Sequence, residues 1–250
     1  MKNRIADGLT SANAFCGLLS ILLATTGRPD LAAWLIILAA VFDAFDGKAA
    51  RFFGSGSRFG VYFDSLADMM SFGVAPAVLI YTTALSSLEF WGVLIAFISA
   101  LFAAIRLARF TASAPVGEHD FIGLSAPLHG CLLASFVIMN LFLWGGVGDV
   151  FVLTLLVIVT SVLMISRFPM PGLPRLSLRE PGHNLAKLIF LFAALIAMAV
   201  SPRLLTFPVF VVIALVGFIA GAVRIARARS FSRRPEESGV ESATTSRGQR

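Results

Sequence analysis

A chain of 250 residues that is 58% hydrophobic and only 14% charged lacks the polar surface a water-soluble domain of this size needs to cover its core. Its formal net charge of +6 would suit a polyanion such as nucleic acid, yet the basic residues alternate with long apolar runs instead of covering one face, which points to a membrane. Only two cysteines are present, Cys16 and Cys131; both fall inside apolar runs, where packing is expected and a disulfide framework is not.

Apolar runs near the ~20 residues that cross a bilayer recur along the chain. Eight spans are predicted, at 8–26, 31–52, 59–83, 88–111, 126–145, 149–166, 184–200 and 204–225. The fold class is therefore all-α, a polytopic membrane helical bundle of about eight transmembrane helices. The first run, LTSANAFCGLLSILLATTG, follows Lys2 and Arg4 like a secretory signal but has no convincing small-residue cleavage site, so a retained helix is expected. Thr10 and Asn13 stand three apart on it, with Gly17 one turn later. Such small and polar residues serve helix packing or hydrogen bonding to a ligand.

After the turn ATTGRPD, the second span ends in VFDAFDGKAAR and the third contains FDSLADMMSFGVAP. The fourth follows SSLE and carries Arg106 and Arg109 on one face of its end. The connectors TASAPVGEHDFIGLSAP and RFPMPGLPRLSLREPGH hold helix-breaking Pro and Gly and are candidate loops over a site, while GGVGD is a tight turn. His119, His129 and His183 have no ligand spacing and are read as solvated or packing residues, and the 23 phenylalanines as core and lipid contacts. The chain divides into a membrane domain, 1–228, and a Ser- and Arg-rich tail, 229–250, whose composition predicts disorder.

Orientation follows from charge. With eight spans, all of the 20 Lys and Arg residues except Arg28 and Arg203 fall on one side, so both termini and the end of the second span face the cytoplasm. Basic cytoplasmic loops also attract anionic membrane lipids.

The conspicuous exception to the apolar pattern is a set of four aspartates, Asp43, Asp46, Asp64 and Asp68. Carboxylates in membrane-grade sequence are expensive unless paired, hydrated or bound to a cation. Spacings of three and four place each pair on one face of its helix, and an antiparallel hairpin can bring the pairs together. Four converging carboxylates can neutralise two divalent ions, and hard oxygen ligands favour Mg²⁺ or Mn²⁺, with Ca²⁺ also suited. A dimetal centre fits phosphoryl chemistry. Between the pairs, Gly47, Ala50 and Gly60 keep the surface shallow and Arg51 adds a fixed positive charge, which together describe a pocket for a charged group. A transport site would also place carboxylates at depth, and substrate flux would distinguish it.

These eight residues, Asp43, Asp46, Gly47, Ala50, Arg51, Gly60, Asp64 and Asp68, match the signature DxxDGxxARx8GxxxDxxxD at every specified position. The chain thus resembles the CDP-alcohol phosphatidyltransferases. The flanking segments LTSANAFCGLLSI, DSLADMMSFGVAPAVLIY, RLARF and FIGLSAP are similar to those of the bacterial integral-membrane phosphatidylserine synthases over residues 9–130. Thr111 stands where those synthases carry asparagine after RLARF, and FIGLSAP replaces FIGLPxP.

The resemblance implies an enzyme of the bacterial inner membrane that moves a phosphatidyl group from CDP-diacylglycerol to L-serine and releases CMP. Glycerol 3-phosphate and inositol phosphate are the alternative acceptors, and homodimers are common in the family. It further implies that the four aspartates hold the metals, with Asp68 also taking the acceptor's proton. CDP would lie over Gly47, Ala50, Arg51 and Gly60, with Thr10 and Asn13 approaching the nucleotide. Arg106, Arg109 and Ser71 are the candidates for the acceptor or the lipid phosphate.

Overall fold

The computed structural model describes residues 2–53, 58–113, 123–166, 168, 194 and 196–231, and every regular element among them is helical. In chain order these are α1 (Lys2–Thr25), α2 (Pro29–Phe53), α3 (Arg58–Asp68), a π-helical turn (Met69–Val74), α4 (Ala75–Thr83), a 3₁₀ turn (Leu85–Leu88), α5 (Glu89–Ser113), α6 (Ala126–Trp144), α7 (Val150–Ile165) and α8 (Pro202–Phe231).

Among the described residues, five helical stretches are long and apolar enough to cross a membrane: Ala6–Thr25, Arg58–Thr83, Leu85–Ala112, Ala126–Trp144 and Pro202–Val223. These correspond to five of the eight expected spans. Of the other three, α2 has the length but carries Asp30, Asp43, Asp46, Lys48 and Arg51, and Val150–Ile165 is apolar but shorter. Of the span expected at 184–200, only residues 194 and 196–200 are described, all six of them helical, and the rest lies outside the described residues. The expected domain boundary at 228 falls within α8, and the tail beyond 231 also lies outside them, as do His119, His183 and most of both long connectors.

Local chemistry explains the turn between α1 and α2. The Gly27 N–H donates to the Ala24 carbonyl at 3.3 Å and the Arg28 N–H to that of Leu23 at 2.9 Å, while Gly27 takes a left-handed φ of 77°. This is a Schellman ending, in which glycine avoids the steric penalty of positive φ, and Pro29 then starts α2 where its missing N–H is harmless. The result is an antiparallel pair, tied further by Ser20 Oγ donating to the Ala32 carbonyl at 2.8 Å.

Inside the bundle, α2, α4 and α6 bury Ile36, Leu79, Ile80, Leu133 and Val137 around Phe72 of the π turn. The outward faces of α7 and α8 expose Phe151, Leu155, Val162, Leu215 and Ile219, an arrangement suited to lipid and costly in water. A polar link crosses the core: His129 on α6 lies 2.9 Å from Ser99 Oγ on α5 through Nε2 and 2.9 Å from Thr160 Oγ1 on α7 through Nδ1. Thr160 gives its own proton to the Leu156 carbonyl at 2.7 Å, so Nδ1 is the donor and Ser99 donates to Nε2. His129 therefore joins three helices and is satisfied on both sides, a packing role.

Candidate active site

The site forms between the C-terminal half of α2 and α3, both of which pack against α1. On α2 the three-residue spacing points Asp43 and Asp46 the same way, and on α3 the four-residue spacing does so for Asp64 and Asp68. One carboxylate oxygen each from Asp43, Asp64 and Asp68 lies within 4.8 Å of the others. Asp46 stands outside this triangle; it is 4% exposed, and its Oδ2 accepts a hydrogen bond from Thr10 Oγ1 at 2.9 Å. Asp68 is 7% exposed, and its Oδ1 accepts from Asn13 Nδ2 at 3.0 Å.

Each polar residue of α1 that the sequence singles out thus holds one carboxylate. Burying an anion without donors is strongly unfavourable, so these two bonds orient the acids and offset part of their desolvation. Removing the Asn13 amide leaves Asp68 Oδ1 without that donor. Asn13→Ala is expected to reduce kcat about 10- to 100-fold, the usual effect of losing the partner that orients a ligand. Steady-state turnover of purified protein with unchanged helical circular dichroism checks this; a kcat within twofold of wild type would remove Asn13 from the site.

The backbone just after Asp68 makes the α1 contact possible. Pro76 has no N–H to give the Phe72 carbonyl, and the Ala75 N–H reaches back five residues to the Met70 carbonyl, which defines the π turn. The wider turn sets Ser71, fully buried, against α1, where its Oγ donates to the Asn13 carbonyl at 2.9 Å. Ser71 therefore serves to lock α1 to the acid-bearing helix. Ser65, between the two acids of α3, pairs with Thr111 Oγ1 of α5 at 2.7 Å, and Thr111 donates to the Leu107 carbonyl at 2.8 Å. Sequence reasoning marked Thr111 as a departure but had no local signal for a partner 46 residues away.

Arg106 and Arg109, though three apart, do different things. Arg106 is half-buried, within electrostatic reach of Asp68 and Asp43, and its Nε is buried with no hydrogen-bond partner among the described residues. Arg109 is exposed and donates from Nη1 to the Ile165 carbonyl at the end of α7, at 3.4 Å. Gly47 lies on α2 beside the acids, and a methyl group built on it meets no atom within 4 Å among the described residues. Gly60 is half-buried in the first turn of α3, and the side chains of Ala50 and Arg51 lie outside the described residues.

The donor set fits a divalent cation. Oxygen ligands of one Mg²⁺, Mn²⁺ or Ca²⁺ lie about 2.0 to 2.6 Å from the ion, and hence up to about 4 to 5 Å from each other, the size of this triangle. Asp64 Oδ1 is buried without a hydrogen-bond partner among the described residues, a position otherwise hard to justify for a carboxylate oxygen.

Against known proteins, residues 3–169 match the family model described as CDP-alcohol phosphatidyltransferase. The chain belongs to the CDP-alcohol phosphatidyltransferase family. Similar members of that family include CDP-diacylglycerol--serine O-phosphatidyltransferases from three sources. The Helicobacter pylori (strain 26695) protein is 32% identical over 65% of this chain and 70% of its own length. The Mycobacterium bovis protein is 32% identical over 89% and 79%, respectively. That of Methanocaldococcus jannaschii is 37% identical over 68% and 75%. The family match covers all four aspartates and Thr10 and Asn13 of α1.

Proposed function

We propose that this membrane protein is a CDP-diacylglycerol:serine O-phosphatidyltransferase, forming phosphatidylserine and CMP. The observation that carries the reading is the agreement between relatives of that activity, each at least 32% identical, and a buried carboxylate triangle at the family motif.

The residues divide the work as follows. Asp43, Asp64 and Asp68 would hold a divalent cation, with Asp46 helping to hold a second; the ions would supply charge neutralisation on the phosphates as CMP leaves. The CDP group lies over α2 where Gly47 leaves room, between Ala50, Arg51 and Gly60. The serine hydroxyl oxygen bonds to the β-phosphorus bearing diacylglycerol, the bond from that phosphorus to the CMP oxygen breaks, and the hydroxyl proton passes to Asp68. Asn13 fixes Oδ1 of that carboxylate, which sets the direction of its other oxygen. Arg106, with its partnerless Nε, is the group for the serine carboxylate or lipid phosphate, because a guanidinium matches both. Arg109 is engaged by α7. Thr10 and Asn13 act on the nucleotide indirectly, through Asp46 and Asp68. The site opens to the cytoplasm, the side that receives nearly all the basic residues.

Purified protein given CDP-diacylglycerol, Mn²⁺ or Mg²⁺ and L-serine is expected to release CMP and form phosphatidylserine, to stop on chelation by EDTA and to recover with added metal. Product from glycerol 3-phosphate or inositol phosphate but not from serine would overturn the acceptor. Full turnover in excess EDTA would overturn the metal-centred reading.

A further inference from the structure

At the opposite end of the bundle, a cavity of about 490 Å³ is lined by Gly27, Arg28, Asp30, Leu31, Phe142 and Arg203, among others. It lies where the α1–α2 turn, the end of α6 and the start of α8 meet. Asp30 and Asp43 are separated along α2 by about 20 Å at helical rise, so the cavity stands at the far membrane face from the aspartates.

Two independent features converge on it. Its basic lining residues among the described residues, Arg28 and Arg203, are also the two basic residues that the eight-span reading of the charge asymmetry leaves on that side. Residues that go against the positive-inside bias call for a local reason, and both face one cavity. Their charges are also not balanced there. Arg203 pairs with Asp30 at 3.6 Å, whereas Arg28 is exposed and has no ion pair among the described residues, so the cavity keeps a net positive charge.

The rest of the lining is amphipathic. Below the charged rim, Leu31, Leu141 and Phe142 form an apolar wall, and Leu31 and Phe142 continue onto the outer surface, where they are 41% and 54% exposed. Trp144 at the end of α6 and Phe90 and Trp91 at the start of α5 are also exposed at this end, as aromatic residues are at the headgroup level of a bilayer. An arginine without an ion pair among the described residues, beside the Asp30–Arg203 pair at headgroup depth above an apolar wall, is complementary to one kind of molecule: a phosphate ester attached to acyl chains. The volume is also within the ordinary range for a ligand-sized site.

The geometry points to a structural phospholipid site, in which Arg28 and Arg203 hold the phosphate of a lipid from the leaflet opposite the active site and its chain lies along Leu31, Leu141 and Phe142. The lipid braces the α1–α2 turn against α6 and α8. This site is separate from the one that binds CDP-diacylglycerol and takes no part in the transfer.

The test uses thermal unfolding of the full-length protein in detergent with phosphatidylglycerol, with diacylglycerol of the same chains, or with inorganic phosphate. Phosphatidylglycerol is expected to raise Tm, and the concentration for half the effect is expected to rise at least fivefold in Arg28→Gln, which leaves the Asp30–Arg203 pair intact. Diacylglycerol is expected to give no such shift, and serine-dependent CMP release by Arg28→Gln to match wild type. Because phosphatidylglycerol can also bind at the cytoplasmic face, the comparison between wild type and Arg28→Gln isolates this cavity. An unchanged half-effect concentration in both Arg28→Gln and Arg28→Gln/Arg203→Gln would overturn the site. Equal stabilisation by diacylglycerol would remove the role of the phosphate, and equal stabilisation by inorganic phosphate would remove the lipid. Loss of CMP release in wild type would bear on the proposed function alone.

Discussion

Asp64→Asn and Asp68→Asn are each expected to lower kcat at least about 10³-fold, equivalent to about 4 kcal/mol of transition-state stabilisation, without unfolding the protein. Asparagine keeps the shape of aspartate but removes the charge that binds a cation. Both acids belong to the triangle within 4.8 Å, so neither is spare. Asp64 Oδ1 is buried with no hydrogen-bond partner among the described residues, a position a bound cation would satisfy. The fold should survive because crowded like charges repel one another, and removing one relieves the metal-free protein. Tm without metal is therefore expected to stay equal or rise, while the gain on adding Mn²⁺ shrinks, since a ligand stabilises the state it binds in proportion to its affinity. CMP release and Tm with and without Mn²⁺ are the two measurements. Near-normal turnover in both variants, or an undiminished gain from Mn²⁺, would remove these carboxylates from the metal site.

The aspartate pairs were legible in the sequence because helical periodicity alone places residues three or four apart on one face, and hydropathy makes such acids costly unless paired, hydrated or bound to a cation. The motif then gave the family. The contacts that organise the acids were less accessible. Thr10 reaches Asp46 across 36 residues and Asn13 reaches Asp68 across 55, and no local pattern distinguishes such a bond from contact with a nucleotide. The π turn was hidden for a different reason. Pro76 signals a missing hydrogen bond, but whether the helix kinks, breaks or widens there depends on what packs against it, here Gly17 and Gly130 from two other helices. Arg106 and Arg109 illustrate the same limit: a helical face predicts a shared direction, yet the end of α7 captures one and leaves the other near the acids. Among the spans, five of the eight expected runs have counterparts long and apolar enough to cross a membrane among the described residues, and α2 falls outside that set because it carries the charged residues that make the site.

Two glycine substitutions separate the packing of the site from its ligand space. In Gly17→Ala, the new methyl carbon would lie 2.8 Å from Ser71 Cα and 3.0 Å from its backbone nitrogen, and no side-chain rotation relieves a clash with backbone. α1 must therefore move away from the π turn, carrying Thr10 and Asn13 with it, and the bonds to Asp46 and Asp68 lengthen together. Overpacking of this kind destabilises by about 1 to 3 kcal/mol, so Tm is expected to fall and kcat to drop at least tenfold. In Gly47→Ala, a methyl group of the same size meets nothing within 4 Å among the described residues, and alanine favours a helix by up to about 1 kcal/mol over glycine. Tm is expected to hold or rise. If CDP lies over this part of α2, the methyl group occupies its space, and KM for CDP-diacylglycerol is expected to rise at least tenfold with KM for serine little changed. An unchanged KM for CDP-diacylglycerol in Gly47→Ala would place the nucleotide elsewhere, and wild-type Tm and kcat in Gly17→Ala would show that α1 does not need its close contact with the π turn to hold the carboxylates.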